Sequence, residues 1–283
     1  MLSSSGGDTT SGKVTLGALH RRKQQGEKIV AVVAYDFQIA QIADRAEVDL
    51  VSVGDSVGVT MWGHPSQLDV TLDEMTLVCQ AVRRGVTNAL VSCDMPFGPL
   101  QHGPDAALSA ARRLVSDGGA DLVKLDDAAS YPSAVRAIVD AGIAVWAQFG
   151  VTPHTASRYG GLHGGASEIA TSRKDQFVAE ARLLEEAGAA MLDFTNSGPT
   201  AGAEVVRAVA IPVIGGLGGG PWLDGRVRSV AAAIGYLASA LDDDAERYAN
   251  VAETALRALA AFRDDVRAGR QIRGGAPGPR GRG

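Results

Sequence analysis

Acidic side chains follow three of the short apolar runs in this 283-residue chain. Asp55, Asp94 and Asp126 each come within two residues of the end of such a run, and Lys124 lies inside the third run. Three carboxylates that converged without a cation would repel one another and raise one another's pKa. A hard divalent cation removes that conflict, and carboxylate oxygens are the ligands that Mg²⁺ prefers. The pattern therefore predicts a Mg²⁺ site formed by Asp55, Asp94 and Asp126.

Lys124 would bring a positive charge to the same site, facing either the carboxylate of a substrate or one of the aspartates. The alternative is that each aspartate caps the helix that follows it, which a single aspartate can do alone. Three carboxylates with a lysine among them favour the metal site over the capping role.

Other reactive side chains give weaker signals. The five histidines show no spacing of i and i+4 that would indicate zinc, so we expect most of them at surface or loop positions. Cys93 precedes Asp94 and is expected to be a small buried residue, since no partner base can be named for a nucleophile. No Walker lysine loop is present in the sequence.

The elements that would position these groups alternate along the chain. Eight short apolar runs, rich in small or β-branched residues, are separated by amphipathic segments, which predicts parallel strands connected by helices. About eight such units favour an α/β fold of the closed (β/α)₈ TIM barrel type, whose reactive groups project from the carboxyl ends of the strands. The runs are residues 29–34, 50–53, 89–93, 122–125, 143–149, 190–194, 211–216 and 227–230.

Domain boundaries follow from the same pattern. We expect a disordered segment over 1–12, a catalytic barrel over 13–244, a C-terminal helical extension over 245–270 and a disordered Gly/Pro/Arg tail over 271–283. The glycine cluster at 215–220 raises the alternative of a dinucleotide-binding fold. It lies near the end of the chain and Pro221 follows it, so a tight turn at the barrel rim is the favoured interpretation.

Composition limits the possible partners and the compartment. The net charge of −5 gives no reason to expect nucleic acid or an anionic membrane as a partner. No apolar run reaches the roughly 20 residues that span a bilayer. Two cysteines do not make a disulfide framework, and the first residues lack the layout of a signal peptide. We therefore expect a cytoplasmic protein.

Motifs in a fixed order run through nearly the whole predicted folded chain, from about residue 13 to 270. They lie at 26–36, 53–58, 63–75, 94–97, 123–126, 150–153, 224–226, 247–250 and 266–269. In these motifs the chain resembles the ketopantoate hydroxymethyltransferase (3-methyl-2-oxobutanoate hydroxymethyltransferase) family. That family belongs to the phosphoenolpyruvate mutase and isocitrate lyase superfamily of barrels.

The resemblance implies roles for particular residues. Asp55 and Asp94 match the aspartates that bind Mg²⁺, which the 2-oxo acid substrate also chelates, and Asp126 matches an acidic residue in the outer environment of the metal. Ser56 and Lys124 match residues that hold the substrate. The resemblance also implies that an enolate attacks the methylene group of 5,10-methylenetetrahydrofolate, and that the chain forms a homo-oligomer, as in the decamers of the family.

Three positions near the predicted site depart from the family pattern. Asp126 stands where the family has glutamate, and Gln148, expected at the substrate, stands where it has histidine. Thr195 stands where the family has the glutamate that removes the substrate proton, and a hydroxyl has no useful basicity. Asp193 is on the same strand face but roughly 6–7 Å deeper.

We therefore name Asp193 and Thr195 as the candidate catalytic pair. Three functions stay open: ketopantoate synthesis, a related carbon–carbon bond step on another 2-oxo acid, and a non-catalytic homologue that binds a ligand or a partner enzyme.

Overall fold

Eight parallel strands form a closed barrel in the order of the sequence, and β8 pairs with β1 to complete it. The structure, a computed structural model, describes residues 12–161 and 166–270. The predicted (β/α)₈ barrel is therefore confirmed, with each strand within a few residues of its predicted run. The strands are β1 Ile29–Val33, β2 Leu50–Val53, β3 Leu90–Asp94, β4 Leu122–Leu125, β5 Val145–Gly150, β6 Met191–Thr195, β7 Val213–Gly215 and β8 Gly225–Ser229.

Helices follow or connect the strands as a parallel sheet requires. Their sequences carry the start signals expected of helices: the side chain of Asp36 caps the helix Phe37–Arg45, and Thr71 forms a capping box with Glu74 at the start of the helix Leu72–Gly85. The helices of this unit are α1 Leu16–Gln25, α2 Phe37–Arg45, α3 Val57–Met61, α4 Leu72–Gly85, α5 Phe97–Gln101, α6 Pro104–Ser116, α7 Pro132–Asp140, α8 Ala166–Ser172, α9 Lys174–Glu186 and α10 Pro199–Ala208.

The interior of the barrel changes from apolar to polar along the strands. Because side chains alternate across a strand, Met191, Asp193 and Thr195 of β6 share one face. The first of these residues packs in an apolar layer near the amino ends of the strands. The next residues along the same faces are polar in five neighbouring strands. The apolar layer comprises Leu50, Leu90, Leu122, Trp146 and Met191, and the polar layer above it comprises Ser52, Ser92, Lys124, Gln148 and Asp193.

The described residues from Val230 to Arg270 form a second compact unit. It contains α11 Val230–Ala233 and α12 Val251–Arg267, and the side chain of Asn250 caps α12 by accepting a hydrogen bond from the Glu253 amide at 3.1 Å. Within the described part of the chain, no helix is both long enough and apolar enough to cross a membrane. The segments 1–11 and 271–283, which we predicted to be disordered, lie outside the described residues.

Candidate active site

A buried ion pair lies at the centre of the candidate site. The Nζ atom of Lys124 on β4 lies 3.0 Å from Oδ2 of Asp193 on β6 and 4.0 Å from Oδ2 of Asp94 on β3. It also lies 4.8 Å from the centre of the Trp146 ring. Burial alone would lower the pKa of Lys124, but Asp193 and Asp94 raise it above its ordinary value. Lys124 is therefore a protonated, fixed cation at neutral pH.

A chain of hydrogen bonds joins β5 to β6 beside this pair. The amide Nε2 of Gln148 donates to Thr195 Oγ1 at 2.8 Å, and Thr195 Oγ1 donates to Asp193 Oδ1 at 3.1 Å. Lys124 occupies the other oxygen of Asp193, whose side chain is only 1% exposed. Each oxygen of Asp193 thus has one partner, and the carboxylate is buried inside the barrel.

Asp94 lies between the lysine and β2. Its Oδ1 accepts a hydrogen bond from Ser52 Oγ and its Oδ2 one from the amide of Asp55, each at 3.4 Å. Burial raises the pKa of Asp94 to about 7; Lys124 opposes that rise and the charge of Asp55 adds to it. The backbone approach to Asp55 needs a glycine, since a Cβ at Gly54 would lie 2.8 Å from the side chain of Val33.

The side chain of Asp55 contacts one residue of a short 3-10 helix, Gln67–Asp69, and one residue of a loop. Its Oδ1 accepts a hydrogen bond from Gln67 Nε2 at 3.0 Å, and its Oδ2 lies 3.1 Å from Nε2 of His154. The backbone amide of His154 donates to Asp126 Oδ2 at 3.3 Å. Burial raises the pKa of Asp126, although His154 opposes the rise. His154 lies in a loop, as expected for most of the histidines, but its side chain is buried rather than at the surface.

Ser56 lies next to Asp55 at the start of α3, and its Oγ lies 2.9 Å from the hydroxyl of Tyr35, just after the first strand.

Asp127, which follows Asp126, faces a different region. It pairs with Arg158 at the edge of a cleft of about 320 Å³ that is also lined by Tyr159 and Arg173.

The capping alternative for the three aspartates finds no support in their contacts. The side chains that accept hydrogen bonds at the starts of α2 and α4 are Asp36 and Thr71, whereas α3 and α5 begin without a side-chain cap. Asp94 instead accepts a hydrogen bond from the amide of Asp55, and His154 contacts the carboxylates of Asp55 and Asp126.

The donor set suits a magnesium ion. Four buried carboxylates lie together here, those of Asp55, Asp94, Asp126 and Asp193, and their ion-pair partners within the described residues are Lys124 and His154. Across 12–161 and 166–270, no three or more side chains from Asp, Glu, His or Cys are placed so that they could together hold a metal ion. Mg²⁺ does not require such a cluster, because it keeps several waters and binds proteins through one or two carboxylates plus the oxygens of a substrate.

Sequence reasoning missed two residues of this site, His154 and Gln67. Neither lies on a strand, so the periodic pattern that located the aspartates does not reach them. The one available signal for His154 is its position directly after the motif at 150–153, at the carboxyl end of β5.

Comparison with known proteins gives the family. The family model described as ketopantoate hydroxymethyltransferase matches residues 13–271. A 3-methyl-2-oxobutanoate hydroxymethyltransferase of Moorella thermoacetica is 38% identical over 91% of this chain and 95% of its own length. The enzyme of the same name from Salinibacter ruber is 36% identical over 90% of this chain and 95% of its own.

Solved structures share the fold at lower identity. The structure of 2,3-dimethylmalate lyase, a PEP mutase/isocitrate lyase superfamily member, has a TM-score of 0.60 at 15% identity and covers 93% of this chain and 91% of its own. Phosphonopyruvate hydrolase in complex with oxalate and Mg²⁺ has a TM-score of 0.57 at 13% identity over 94% of this chain and 92% of its own. At these identities the likeness shows the barrel alone, but the sequence match is extensive, and the chain belongs to the ketopantoate hydroxymethyltransferase family.

Proposed function

We propose that this chain transfers a hydroxymethyl group from 5,10-methylenetetrahydrofolate to a small 2-oxo acid, with 3-methyl-2-oxobutanoate as the first candidate substrate. The observation that carries the proposal is the convergence of Asp55, Asp94 and the cation of Lys124 at one barrel mouth. In the proposed reaction the C–H bond beside the ketone breaks and a bond to the methylene carbon forms, while the bonds of that carbon to N5 and N10 of the folate break and water supplies the hydroxyl group. With one water consumed, the products are ketopantoate and tetrahydrofolate.

Asp55 and Asp94 would hold a Mg²⁺ ion, with Asp126 in its outer environment. When bound, Mg²⁺ withdraws electron density from the ketone of a chelating 2-oxo acid, so the neighbouring carbon loses its proton more easily. Asp94 must be ionised to serve as a ligand, and its pKa of about 7 in the metal-free site allows this near neutral pH.

Lys124 would bind the anionic part of the substrate. Its ammonium is buried, protonated and held by Asp193, which fixes its position before the substrate arrives. Ser56 and Gln148 are the polar groups that we propose for the remaining substrate contacts. Gln148 is 8% exposed, so it keeps some access to the mouth.

The proton would pass to Asp193 through the hydroxyl of Thr195. Because Gln148 donates to Thr195 Oγ1, the hydroxyl proton of Thr195 is directed at Asp193 Oδ1. As that proton moves to Asp193, the oxygen of Thr195 can accept the proton leaving the substrate carbon. Asp193 is therefore the final acceptor and Thr195 the relay.

A second candidate function is a carbon–carbon bond step of lyase or aldolase type on a different 2-oxo acid. It is favoured by the burial of Asp193, whose side chain is 1% exposed and paired with Lys124, since bond cleavage forms an enolate without a base that removes a carbon-bound proton. Turnover of another 2-oxo acid, with no product from 3-methyl-2-oxobutanoate, would favour this function over the first.

The direct test is incubation of the full chain with 3-methyl-2-oxobutanoate, Mg²⁺ and 5,10-methylenetetrahydrofolate, followed by detection of ketopantoate. Asp55→Ala and Asp94→Ala should abolish the product. If both variants supported the biological role as well as the unmodified chain, the chain would be a non-catalytic homologue instead.

We also propose that the chain is a homo-oligomer, with a decamer as the first candidate. An apolar row on α12 that includes Leu256, Leu259, Phe262 and Val266 is at least half exposed and could contact another subunit. Light scattering of the purified chain tests this proposal, and a monomer at micromolar concentration would contradict it.

A further inference from the structure

We propose that His154 is a positioning residue for Asp55, one that fixes the orientation of this carboxylate and so sets the affinity of the site for a divalent cation. This inference rests on the proposed function, which assigns Asp55 to a metal ion. It adds a residue from the loop after β5 to a site otherwise built from strands β2 to β6.

The loop that carries His154 is fastened to the end of β5. Thr155 Oγ1 donates to the carbonyl of Gly150 at 2.8 Å and accepts a hydrogen bond from the amide of Thr152 at 2.8 Å. Both threonine side chains are buried, so the turn between them has a fixed shape. His154 lies inside this turn, and its position is therefore set by the backbone of the barrel.

From this turn His154 contacts carboxylates that follow two different strands. Its ring Nε2 lies 3.1 Å from Oδ2 of Asp55, and its backbone amide lies 3.3 Å from Oδ2 of Asp126. Phe97 packs edge-on against the imidazole with ring centres 5.1 Å apart, which restricts rotation of the ring. The imidazole side chain itself is only 1% exposed.

Together with Gln67, His154 leaves Asp55 little freedom to rotate. One donor holds each oxygen, Gln67 on Oδ1 and His154 on Oδ2. A carboxylate has about four lone-pair positions, so each oxygen still has one free for a cation. Groups that orient a metal ligand in this way change cation affinity by about 10- to 100-fold when they are removed.

Two polar substitutions separate this role from general packing. The amide nitrogen of His154→Gln can occupy the place of the imidazole Nε2, whereas the shorter His154→Asn cannot reach Asp55. Both variants retain the backbone bond to Asp126. His20→Asn is the matched control, because His20 bonds to the carbonyl of Ala190 at the amino end of β6, away from the mouth.

The measurement is calorimetric titration of each full-length variant with MnCl₂ and MgCl₂ at about pH 8, where Asp94 is ionised. We expect His154→Asn to weaken binding by about 10-fold or more, with His154→Gln and His20→Asn within about 3-fold of the unmodified chain. Thermal unfolding of each variant checks that the fold is intact. If His154→Asn does not fold, His154→Ser, which also cannot reach Asp55, replaces it.

Equal affinity in His154→Asn and the unmodified chain would overturn the inference while leaving the proposed function in place. A loss in His154→Gln as large as in His154→Asn would also overturn it, because the donor at the Nε2 position would then have no effect. An unmodified chain that binds neither cation would overturn both this inference and the metal-dependent function.

Discussion

Lys124 Nζ and Asp193 Oδ2 lie 3.0 Å apart in the interior of the barrel, with both side chains less than one-tenth exposed. The two residues are on β4 and β6, so the ion pair connects two strands that are separated by β5. A second carboxylate, that of Asp94, lies 4.0 Å from the same nitrogen. The lysine is thereby fixed as a cation in the position where an anionic substrate would bind.

Breaking this pair should destabilise the protein strongly. Asp193→Leu leaves the ammonium of Lys124 buried with only the more distant Asp94, and we expect the free energy of unfolding to fall by about 3–5 kcal/mol. Removing both charges in Lys124→Met/Asp193→Leu should cost less than the sum of the single changes. Urea denaturation measures these values. The exposed pair of Arg207 and Glu204 is the control, and Glu204→Ala should cost less than about 1 kcal/mol.

If the single and double variants at Lys124 and Asp193 had strictly additive effects, the two groups would not interact, which would contradict the role of Asp193 in fixing the lysine.

The hydroxyl of Thr195 should be required for proton removal. Thr195→Val keeps the shape of the side chain but removes the link from Gln148 to Asp193, so we expect exchange of the C3 proton of 3-methyl-2-oxobutanoate to slow by about 100-fold or more. Thr195→Ser keeps the hydroxyl and should stay within about 10-fold. Proton NMR in deuterated water gives both rates. Equal rates for the valine and serine variants would exclude the relay.

The affinity for Mg²⁺ should depend on pH through Asp94. Burial raises its pKa to about 7 in the metal-free site, so protons compete with the cation below that pH. We expect the affinity to fall by up to about 10-fold per pH unit as the pH decreases from 7 to 5, and to change little above 8. Calorimetric titration over this range tests the dependence. An affinity that stayed constant down to pH 5 would show that Asp94 is not a ligand.

Acid stability should depend on Asp44, whose hydrogen-bond partners Asn88 and Ala89 lie just before β3. Burial alone would raise its pKa, but hydrogen bonds from Ala89, Thr87 and Asn88 lower it below its ordinary value. A depressed pKa adds stability above the unfolded-state value, and that stability is lost as pH falls through the folded-state value. We therefore expect Asp44→Asn to cost about 2–3 kcal/mol at pH 7 and much less near pH 2.

Urea denaturation at the two pH values measures the cost of Asp44→Asn. Asp175, whose side chain is 98% exposed, supplies the control Asp175→Asn, which should change stability by less than about 0.5 kcal/mol at either pH. An Asp44→Asn penalty that was the same at both pH values would contradict the linkage.

The barrel could be predicted from the sequence because strand and helix periods alternate clearly, and most apolar runs are bounded on at least one side by a polar residue or glycine. The positions of Asp55, Asp94 and Lys124 followed from the rule that reactive groups lie at the carboxyl ends of barrel strands. Those groups belong to strand ends, so a strand prediction locates them within one or two residues.

The partners of these groups could not be predicted in the same way. The contact of Asp193 with Lys124 depends on the register of β4, β5 and β6, which sequence periodicity does not define. Gln67 reaches Asp55 from the short 3-10 helix Gln67–Asp69 and His154 reaches it from a loop, whose path depends on tertiary contacts such as those of Thr155 with the end of β5. A single sequence contains no periodic signal for either contact.

Deuterium exchange at C3 of 3-methyl-2-oxobutanoate tests the central claim most directly, because it reports deprotonation of the 2-oxo acid without the folate co-substrate. We expect Mg²⁺-dependent exchange by the unmodified chain, loss of exchange in Asp94→Ala and exchange slowed by about 100-fold in Asp193→Asn. An unmodified chain that binds Mg²⁺ and the 2-oxo acid but exchanges no proton would contradict it.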